Sequence, residues 1–534
     1  MRKVAVFLCC VGIMMCVSAA DALERHAGSA FVPPTGAKAD RGPFSEEVLT
    51  EYVAALEAVH VFAPFEGQND ALKAKYAGSK GGPLRGGEIV ALDMPAEELF
   101  GAPLAEGHVW VYLGGITSVD ALGVRVQMDL SLLQPDAEVW VIDPNVPRAF
   151  GPYTTEDCGE GGCWLATVLG EEAVLMVRTP RLEIPHVRVT AYSHIFLTFQ
   201  DLAKELSCNV DIACDSDSAT VDAGSATALI LVGGDWFCSG VLINNGSTEE
   251  KEPYFMTANH CVCNGTEARA TEVYWDYRAT GCNTNDAPDV DTLPRSQGAA
   301  LLATSSKLDA TLFRLDTVPV GDYGRTYLGW DTRTPAVKDE VLTIHYPDAT
   351  HMRESKGTVR AINQYLGGRN SLIKVHWDEG VTELGSSGAP LLLRGDLSII
   401  GMLSQGPEHT CDFDRSGNLD WFSSFRDFYP LISQYIDTDA PSTQEGTDDC
   451  RDPSLDCPTL LAFARHPEML RDLRALRDKF LLKTALGKQV VSAYYAMAPR
   501  MAKAVRESQQ ARGLFVAVAS PFARLGAALE WLEG

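Results

Sequence analysis

The sequence predicts a mainly β protein that ends in a small α-helical domain, and three features of the chain indicate this. Between residues 108 and 199, short segments alternate apolar and polar residues and are separated by turn residues, which is typical of a β-sandwich. The stretch from 208 to 437 is again rich in strand-like segments, with Gly, Asn and Asp at its turns. Beyond residue 458, apolar residues recur at helical spacing.

Length and composition limit the class of protein. A chain of 534 residues is too long for one ordinary core, so several domains are expected. Hydrophobic residues make up 46% and charged residues 22% of the chain, as in soluble globular proteins. The formal net charge of −26 gives a surface that repels phosphate groups, which argues against nucleic acid as a partner.

The first 22 residues have the pattern of a secretory signal peptide. Two basic residues precede an apolar run, and small residues follow that run. The run is too short for a membrane anchor, so the protein is predicted to be secreted, into the extracellular space or the periplasm.

Fourteen cysteines less the three of the leader (Cys9, Cys10 and Cys16) leave eleven. An exported protein is expected to pair its cysteines, and an odd number leaves at least one without an internal partner.

Changes in residue composition and hydrophobic spacing divide the remaining chain into four segments. Strand-like runs dominate the first two, a polar stretch rich in Asp, Ser and Thr forms the third, and helical spacing marks the last. The predicted segments are an N-terminal β-rich domain at 23–205 with a short helical pattern at 45–59, a second β domain at 206–440, a linker at 441–457 and a helical domain at 458–534. Two short cysteine spacings indicate local disulfides, Cys158 with Cys163 and Cys450 with Cys457.

The helical tail differs from the rest of the chain in charge. Residues 458–534 contain 12 Lys and Arg and 6 Asp and Glu, a charge of about +6, so the remainder carries about −32. A basic helical segment on an acidic protein can dock on that protein or meet an anionic membrane surface. The tail could equally consist of amphipathic helices that pack on each other. The sequence does not choose between this interpretation and a docking or membrane-binding tail.

Three short segments carry the candidate chemistry, in the chain order His, Asp, Ser. They are "YFMTANHCV" with His260, "KLDATLFRL" with Asp309 and "GSSGAP" with Ser387. Each segment alone is weak evidence for catalysis, because its pattern usually has a structural role. The three patterns are a histidine beside a cysteine, an aspartate before a strand and a Gly-Ser loop. Together they fill the roles of acyl transfer: a serine nucleophile, an imidazole base and a carboxylate that orients the imidazole. The glycines of the loop let the backbone amides of Gly385 and Ser387 point at a developing oxyanion.

The segments around these residues resemble the chymotrypsin-fold serine proteases, and among them the bacterial lysyl endopeptidases. The resemblance covers residues 208–424 and is carried, in this order, by "CNVDIAC", "CSGVLINN", "PYFMTANHC", "EVYWDYRATGC", "LDATLFRL", "GWDTR", "IHYP", "KVHWDEGVTELGSSGAP" and "IIGMLSQGPEHTC". It implies a trypsin-like domain of two six-stranded β-barrels with the site at their junction. It also implies His260 as base, Asp309 as orienting carboxylate and Ser387 as nucleophile, with no cofactor.

The same resemblance implies disulfide pairs and a substrate pocket. The implied pairs are Cys238–Cys261, Cys208–Cys411 and Cys214–Cys282, which leaves Cys263 as the odd thiol. Eight residues separate Cys411 from Asp420, which matches the aspartate that binds the substrate lysine in those enzymes. Cleavage after Lys, or after Arg, is therefore expected. Ser404 and Gly406 are expected to line the pocket and bind the substrate backbone.

Two departures from the resembling enzymes affect the predicted pocket. Those enzymes carry a histidine where this chain has Ser404, and a tryptophan near the base where this chain offers Tyr365. Catalysis is expected to survive both changes, whereas a strict preference for lysine is less constrained by the sequence.

The stretch "DFDRSGNLD", from Asp412 to Asp420, also resembles a calcium-binding loop of the D-x-D-x-S-G type. Its twelfth position would be Ser423 instead of a bidentate glutamate, and the sequence shows no flanking helices. The cysteine spacings contain no zinc pattern. No metal site is predicted, and calcium is kept as the alternative interpretation of this loop.

Two function classes are compared for the whole chain. A secreted serine endopeptidase acting on proteins or peptides needs all three residues of the triad, whereas a protease-fold adhesin or binding module needs none, so the enzyme is favoured.

The resemblance implies that 23–205 is a pro-region or an accessory domain. The tail resembles the CFI-box tails of exported bacterial proteins, although "CPTLLAFA" stands at its start, which suggests cell-surface association. A monomer is the default expectation for a secreted protease.

Ser386 occupies a position where many trypsin-like zymogens carry an aspartate. That aspartate pairs with a new N-terminus after activation, and a serine cannot form such an ion pair. No Ile-Val-Gly-Gly-type start precedes the second β domain either. Proteolytic activation is therefore expected to act by removal of the N-terminal segment and not by an ion pair in this loop.

Overall fold

The structure is a computed structural model in which the chain divides into two compact units. The first unit comprises residues 1–363 and 371–449, and the second comprises 364–370 and 450–534. The described residues are 26–27, 30–32, 44–56, 58–62, 69–76, 83–158, 162–197, 206–246, 251–284, 286–413, 417–437 and 450, together with 517, 519–521 and 524, which are helical. The predicted signal peptide, the linker apart from residue 450 and nearly all of the tail lie outside the described residues. No described helix is both long and apolar enough to cross a membrane.

Strands make up most of the regular structure in the described residues. The strands are β1 His26–Ala27, β2 Ala30–Val32, β3 Val59–Phe62, β4 Leu84–Arg85, β5 Gly87–Pro95, β6 Leu104–Glu106, β7 Val109–Ser118, β8 Gly123–Asp129, β9 Glu138–Asp143, β10 Arg148–Tyr153, β11 Cys163–Trp164, β12 Val168–Leu169, β13 Glu172–Thr179, β14 Arg188–Ile195, β15 Val210–Asp211, β16 Thr227–Val232, β17 Trp236–Leu242, β18 Tyr254–Thr257, β19 Thr271–Tyr274, β20 Arg295–Gln297, β21 Ala299–Ser305, β22 Ala310–Leu315, β23 Arg325–Tyr327, β24 Trp330–Asp331, β25 Glu340–His345, β26 Arg353–Leu366, β27 Arg369–Glu379, β28 Pro390–Leu393, β29 Ile399–Gln405 and β30 Leu419–Ser424. The α-helices are α1 Glu46–Ala54, α2 Asn69–Tyr76, α3 Ala96–Leu99, α4 Ser218–Ala223, α5 Gly265–Arg269 and α6 Phe425–Ile436.

The N-terminal segment forms a β-sandwich. One sheet has the order β10-β9-β13-β7-β3 with β6 added on β7, and the other has the order β11-β8-β14-β5 with β12 added on β8. Inward-facing residues of the two sheets, such as Val126, Val141 and Leu175, are buried in one shared apolar core. Because successive side chains of a strand point to opposite faces, alternation in the sequence marks these strands. The predicted sandwich is confirmed.

Helix α1 covers the second face of the larger sheet of the sandwich. The hydroxyl of Ser45 accepts a hydrogen bond from the N–H of Val48 and so caps the first turn. Leu49 and Tyr52 of the helix pack in one apolar cluster with Trp140 of β9. Both faces of that sheet are therefore buried, which explains why β13 is apolar almost throughout instead of alternating.

The first half of the second β domain is an eight-stranded sheet. Its order is β20-β19-β16-β17-β18-β22-β21, with β4 of the N-terminal segment added on β17. Gly298, with a φ of +77°, separates β20 from β21. Because β20 pairs with β19 and β21 pairs with β22, this bent stretch brings the two ends of the sheet together into a partly closed barrel. Phe255, Trp275 and Phe313 lie in its core in ring-to-ring contact.

The second half of this domain is a nine-stranded sheet. Its order is β1-β24-β29-β28-β25-β26-β27-β30, with β15 added on β26. A further pairing of β29 with β30 closes six of these strands into a barrel. Val375, Trp377 and Leu391 are buried in its core. The predicted mainly β, trypsin-like double barrel is confirmed, with the second barrel more completely closed than the first.

A buried charge network joins the sandwich to the first barrel. Glu272 of β19 is fully buried and accepts from the N–H and the hydroxyl of Thr167 at 3.2 and 2.7 Å. Arg295 of β20 donates to the same carboxylate at 3.3 Å and to the Thr167 carbonyl at 2.8 Å. Arg125 of β8 donates to the carbonyl of Ala270 at 2.9 Å. Burial alone raises the pKa of Glu272, but the charges of Arg295 and Arg125 lower it, and the net pKa lies below the ordinary value.

Replacement of Glu272 by alanine is expected to destabilise the protein strongly, because Arg295 would lose its nearer carboxylate at 3.3 Å and keep only that of Asp291 at 3.8 Å. Loss of one partner of a buried ion pair costs about 3–5 kcal/mol. Denaturant unfolding followed by tryptophan fluorescence measures the change in the free energy of unfolding. Glu156→Ala is the control, because Glu156 is exposed. A loss no larger than that of the control would contradict the role of the network.

Candidate active site

His260 and Asp309 form a direct pair. Strands β18 and β22 are hydrogen-bonded neighbours with Thr257 opposite Thr311, so the residues just beyond the end of β18 meet those just before β22. The Nδ1 of His260 lies 2.9 Å from Oδ2 and 3.0 Å from Oδ1 of Asp309. The backbone N–H of His260 also donates to Oδ1, at 3.0 Å. The carboxylate therefore fixes both the ring and the backbone of the histidine.

Asp309 is completely buried and has a left-handed φ of +51°. This conformation is uncommon for a residue with a side chain, and it persists only where the surroundings hold it in place. The hydroxyl of Ser404, on β29 of the second barrel, donates to Oδ2 of Asp309 at 2.6 Å. Ser404, which the sequence predicted as a pocket residue, thus directs its hydroxyl at the carboxylate that orients His260.

The loop that carries Ser387 is held through its backbone. The Ser387 carbonyl accepts from the N–H of Ser239 at 2.8 Å, and the hydroxyl of Ser239 donates to the Gly385 carbonyl at 3.0 Å. Gly385 and Gly388 have φ values of +88° and +80°. A Cβ on Gly388 would lie 2.2 Å from Oγ1 of Thr257. The backbone conformation therefore requires glycine on both sides of the serine pair.

Two contacts bring the serine loop beside the His–Asp pair. Gly388 lies against the end of β18, the strand that leads to His260. The N–H of Gly388 also donates to the carbonyl of Leu403 at 2.9 Å, and the next residue, Ser404, is bound to Asp309. The structure thus brings together the three segments that the sequence analysis singled out.

Disulfides link segments in both β domains. The structure contains the bridges Cys158–Cys163, Cys208–Cys411, Cys214–Cys282 and Cys238–Cys261. The last of these ties the residue after His260 to strand β17 of the first barrel. Cys263 is also disulfide-bonded, so the expectation of an odd thiol there is wrong. That expectation came from the family pattern, which offers Cys263 no partner. The predicted Cys450–Cys457 bridge is not described, because Cys457 lies outside the described residues.

Asp420, the predicted pocket residue on β30, is buried among hydrogen-bond donors. Nε1 of Trp377 donates to Oδ2 at 2.6 Å, and the hydroxyl of Thr382 donates to the same oxygen at 2.5 Å. Nε2 of His409 lies 2.9 Å from Oδ1. The backbone of Gly406 approaches the carboxylate so closely that a Cβ there would lie 1.9 Å from Oδ1. Two of the three residues predicted to form the pocket, Asp420 and Gly406, therefore lie against each other.

His409 is a candidate functional residue that the sequence analysis missed. Its side chain is 1% exposed and faces the Asp420 carboxylate. Burial alone lowers the pKa of His409, but the charge of Asp420 and the hydrogen bond to it raise it, and the net pKa lies above the ordinary value. A lone histidine two residues before a cysteine carries no spacing signal, so only the fold reveals this contact.

The calcium interpretation of the loop does not fit Asp420. Its carboxylate accepts from three protein donors inside the second barrel, whereas a calcium ligand must direct its oxygens at an ion. Residues 414–416 of the same loop lie outside the described residues.

An uncharged network occupies the position next to Ser387. The hydroxyl of Ser386 lies 2.8 Å from Nδ1 of His345, whose Nε2 lies 3.0 Å from the hydroxyl of Ser355. Burial lowers the pKa of His345 to about 3, so this imidazole is neutral at physiological pH. Ser386 is thus fixed by neutral hydrogen bonds and not by an ion pair.

Residues 202–423 match the family model "Lysyl endopeptidase, C-terminal domain". A lysyl endopeptidase of Pseudomonas aeruginosa is 31% identical over 273 residues, which cover 48% of this chain and 57% of that protein. Among solved structures, the active form of the Rv3671c protease from M. tuberculosis is 13% identical with a TM-score of 0.31, over 45% of this chain and 93% of that one. Human heparin binding protein is 17% identical with a TM-score of 0.31, over 42% of this chain and 96% of that one.

The central segment thus combines two β-barrels with a match to a protease family model. Within that segment, residues 202–423 are lysyl endopeptidase-like. The chain spans a little more than half the length of the curated relative.

Proposed function

We propose that the protein is a secreted serine endopeptidase that cleaves proteins or peptides after lysine through an acyl-enzyme intermediate. The observation that carries the proposal is the His260–Asp309 pair, with Nδ1 2.9 Å from the carboxylate, beside the loop of Ser387. The pair lies in the segment similar to the lysyl endopeptidase C-terminal domain. The disulfides and the predicted signal peptide support secretion.

In the proposed reaction, His260 removes the proton from the Ser387 hydroxyl as its oxygen attacks the substrate carbonyl. Asp309 stays ionised, holds the Nδ1 proton of His260 and stabilises the imidazolium that forms. His260 then gives the proton to the leaving amine, and the acyl group remains on Ser387. A water molecule, activated by the same imidazole, hydrolyses this ester and restores the free enzyme.

The amides of Gly385 and Ser387 are the proposed donors to the oxyanion. The bonds from Ser239 to the carbonyls of these two residues fix the peptide planes 385–386 and 387–388. These planes flank the amide of Ser387 on both sides and follow the amide of Gly385, which limits how far the donors can move during the reaction. A preorganised donor at the developing negative charge is worth about 10²–10³ in rate.

The contacts of Asp420 support lysine over arginine as the residue before the cleaved bond. An ionised carboxylate has about four acceptor sites. Trp377 and Thr382 use Oδ2, and His409 uses one site of Oδ1. A substrate ammonium needs a single acceptor, whereas a guanidinium gains most from bidentate binding to both oxygens. Cleavage after arginine is the second candidate specificity.

The alternative function is a protease-fold binding module with little or no activity. A binding module has no need of a buried aspartate that holds a histidine by Nδ1 and by its backbone N–H, so the hydrogen bonds of Asp309 favour the enzyme. Cell-surface association through the tail, a monomeric state and the absence of a nucleic-acid partner stay predictions.

The enzyme proposal is tested by covalent labelling. A fluorophosphonate probe is expected to label the wild-type protein at Ser387, because only an activated serine attacks it rapidly, and mass spectrometry of the digested protein locates the adduct. Ser387→Ala is the matched control and should fold but not react. A wild-type protein that is folded but stays unlabelled both before and after removal of the N-terminal segment would leave the binding module as the better function.

Asp420→Asn is expected to reduce cleavage after lysine by about 10²-fold or more in kcat/KM, since removing one partner of a buried charge pair costs about 2–5 kcal/mol. Digestion of a denatured protein mixture followed by peptide sequencing measures the preference, and single-substrate kinetics measure the loss. Asp322→Asn is the control, because Asp322 is exposed in the same domain. Unchanged lysine cleavage in the Asp420 variant would refute the pocket assignment.

The pH dependence of KM provides a second test of the pocket. A protonated His409 offsets the charge of Asp420, so binding of a lysine substrate should weaken as pH falls and strengthen as His409 loses its proton. Because the pKa of His409 is raised, this change should occur above the pH at which an ordinary histidine titrates. His409→Gln should abolish the change in KM while the pH profile of kcat remains. A wild-type KM that is flat across neutral pH would contradict this role.

A further inference from the structure

A single carboxylate connects the start of the second β domain to the loop that carries Ser387. Oε2 of Glu383 accepts from the backbone N–H of Leu206 at 3.1 Å and from Nδ2 of Asn209 at 2.6 Å. These donors precede Glu383 in the chain by 177 and 174 residues. Glu383 itself begins the turn that leads to the candidate nucleophile four residues later.

The backbone of Glu383 holds the same turn from the other side. Its N–H donates to the hydroxyl of Ser386 at 3.1 Å, and the N–H of Ser386 donates to the Glu383 carbonyl at 3.1 Å. The Ser386 hydroxyl is also bound to the buried His345. A shift of Glu383 would therefore move the peptide groups directly before Ser387.

The segment that Glu383 holds is itself well anchored. Leu206 and Cys208 pack against the apolar core of the second barrel. The Cys208–Cys411 disulfide joins this segment to the loop before Asp420. The carboxylate thus binds a fixed partner, and the donors Leu206 and Asn209 help to set its position.

We propose that Glu383 is a positioning residue that couples the docked state of Leu206 and Asn209 to the geometry of the oxyanion donors. This inference rests on the proposed function and deepens it. Undocking of the domain start would release the Glu383 carboxylate and loosen the turn, so a correctly seated start is a condition for full activity. The acidic residue that binds the start of the domain is thus Glu383. The residue directly before the candidate nucleophile, Ser386, is neutral.

The coupling predicts an effect on the chemical step and little effect on substrate binding. Misplacement of a reacting group by about 1 Å can cost about 10²-fold in rate. The charge of Glu383 helps to raise the pKa of His409 in the pocket, so KM is compared at an alkaline pH, where His409 is neutral in every variant. A residue that only stabilised the fold would instead lower the melting temperature and the fraction of active molecules, with an unchanged kcat for each active site.

The test uses the full chain with Glu383→Ala, Glu383→Gln and Asn209→Ala. We expect Glu383→Ala to lower kcat by about tenfold to a hundredfold, to leave KM within about twofold and to slow fluorophosphonate labelling in parallel. Glu383→Gln should recover most of the rate, because its amide oxygen can accept both N–H bonds. Asn209→Ala should give a smaller loss of the same kind.

Glu379→Ala is the matched control, because Glu379 is an exposed carboxylate four residues earlier, and it should behave as the wild type. All rates are referred to active sites counted by titration, so a loss of folded protein does not enter kcat. A kcat for Glu383→Ala within twofold of the wild type, or a loss confined to KM, would overturn the inference. Failure of the proposed function is distinguishable, because the wild-type protein itself would then not be labelled at Ser387.

Discussion

The candidate site depends on one constraint, which is that a carboxylate buried inside a β-barrel must receive hydrogen bonds from the groups around it. Asp309 meets this requirement with the ring and backbone of His260 and with the hydroxyl of Ser404. An unpaired charge at this depth would cost several kcal/mol. The need to satisfy Asp309 therefore fixes the histidine ring and ties it to the second barrel.

The same constraint makes the two barrels act as one site. Asp309 belongs to the first barrel and receives its hydroxyl donor from β29 of the second. In the opposite direction, Ser239 of the first barrel binds the carbonyls of Gly385 and Ser387 in the second. Contacts that cross the junction both ways leave little freedom for one barrel to shift against the other. The geometry of the proposed base and nucleophile is in this way a property of the whole domain.

The sequence predicted the parts of the site that lie in locally patterned segments, and it missed those that depend on distant contacts. His260, Asp309 and Ser387 each lie beside a strand end or a glycine turn, so residue type and chain order suffice to single them out. Alternating residues likewise predicted strands such as β7 and β9 of the sandwich. His409 and Glu383 have no such local signal, because their partners lie 11 to 177 residues away and are brought to them by sheet closure. Cys263 was misjudged for a different reason, because the family pattern offers it no partner.

The contacts between the sandwich and the first barrel bear on whether the N-terminal segment is a pro-region or a permanent domain. Strand β4 adds to β17, and Leu84 and Ile195 join the apolar core of the barrel, which favours lasting association. The contact also contains the buried polar group of Glu272, Arg295 and Thr167. On separation, Glu272 and Arg295 would become solvated and recover the free energy lost on burial. The contact therefore combines strand pairing and apolar packing, which resist separation, with a buried ion pair, which makes an interface easier to open than a wholly apolar one of equal area.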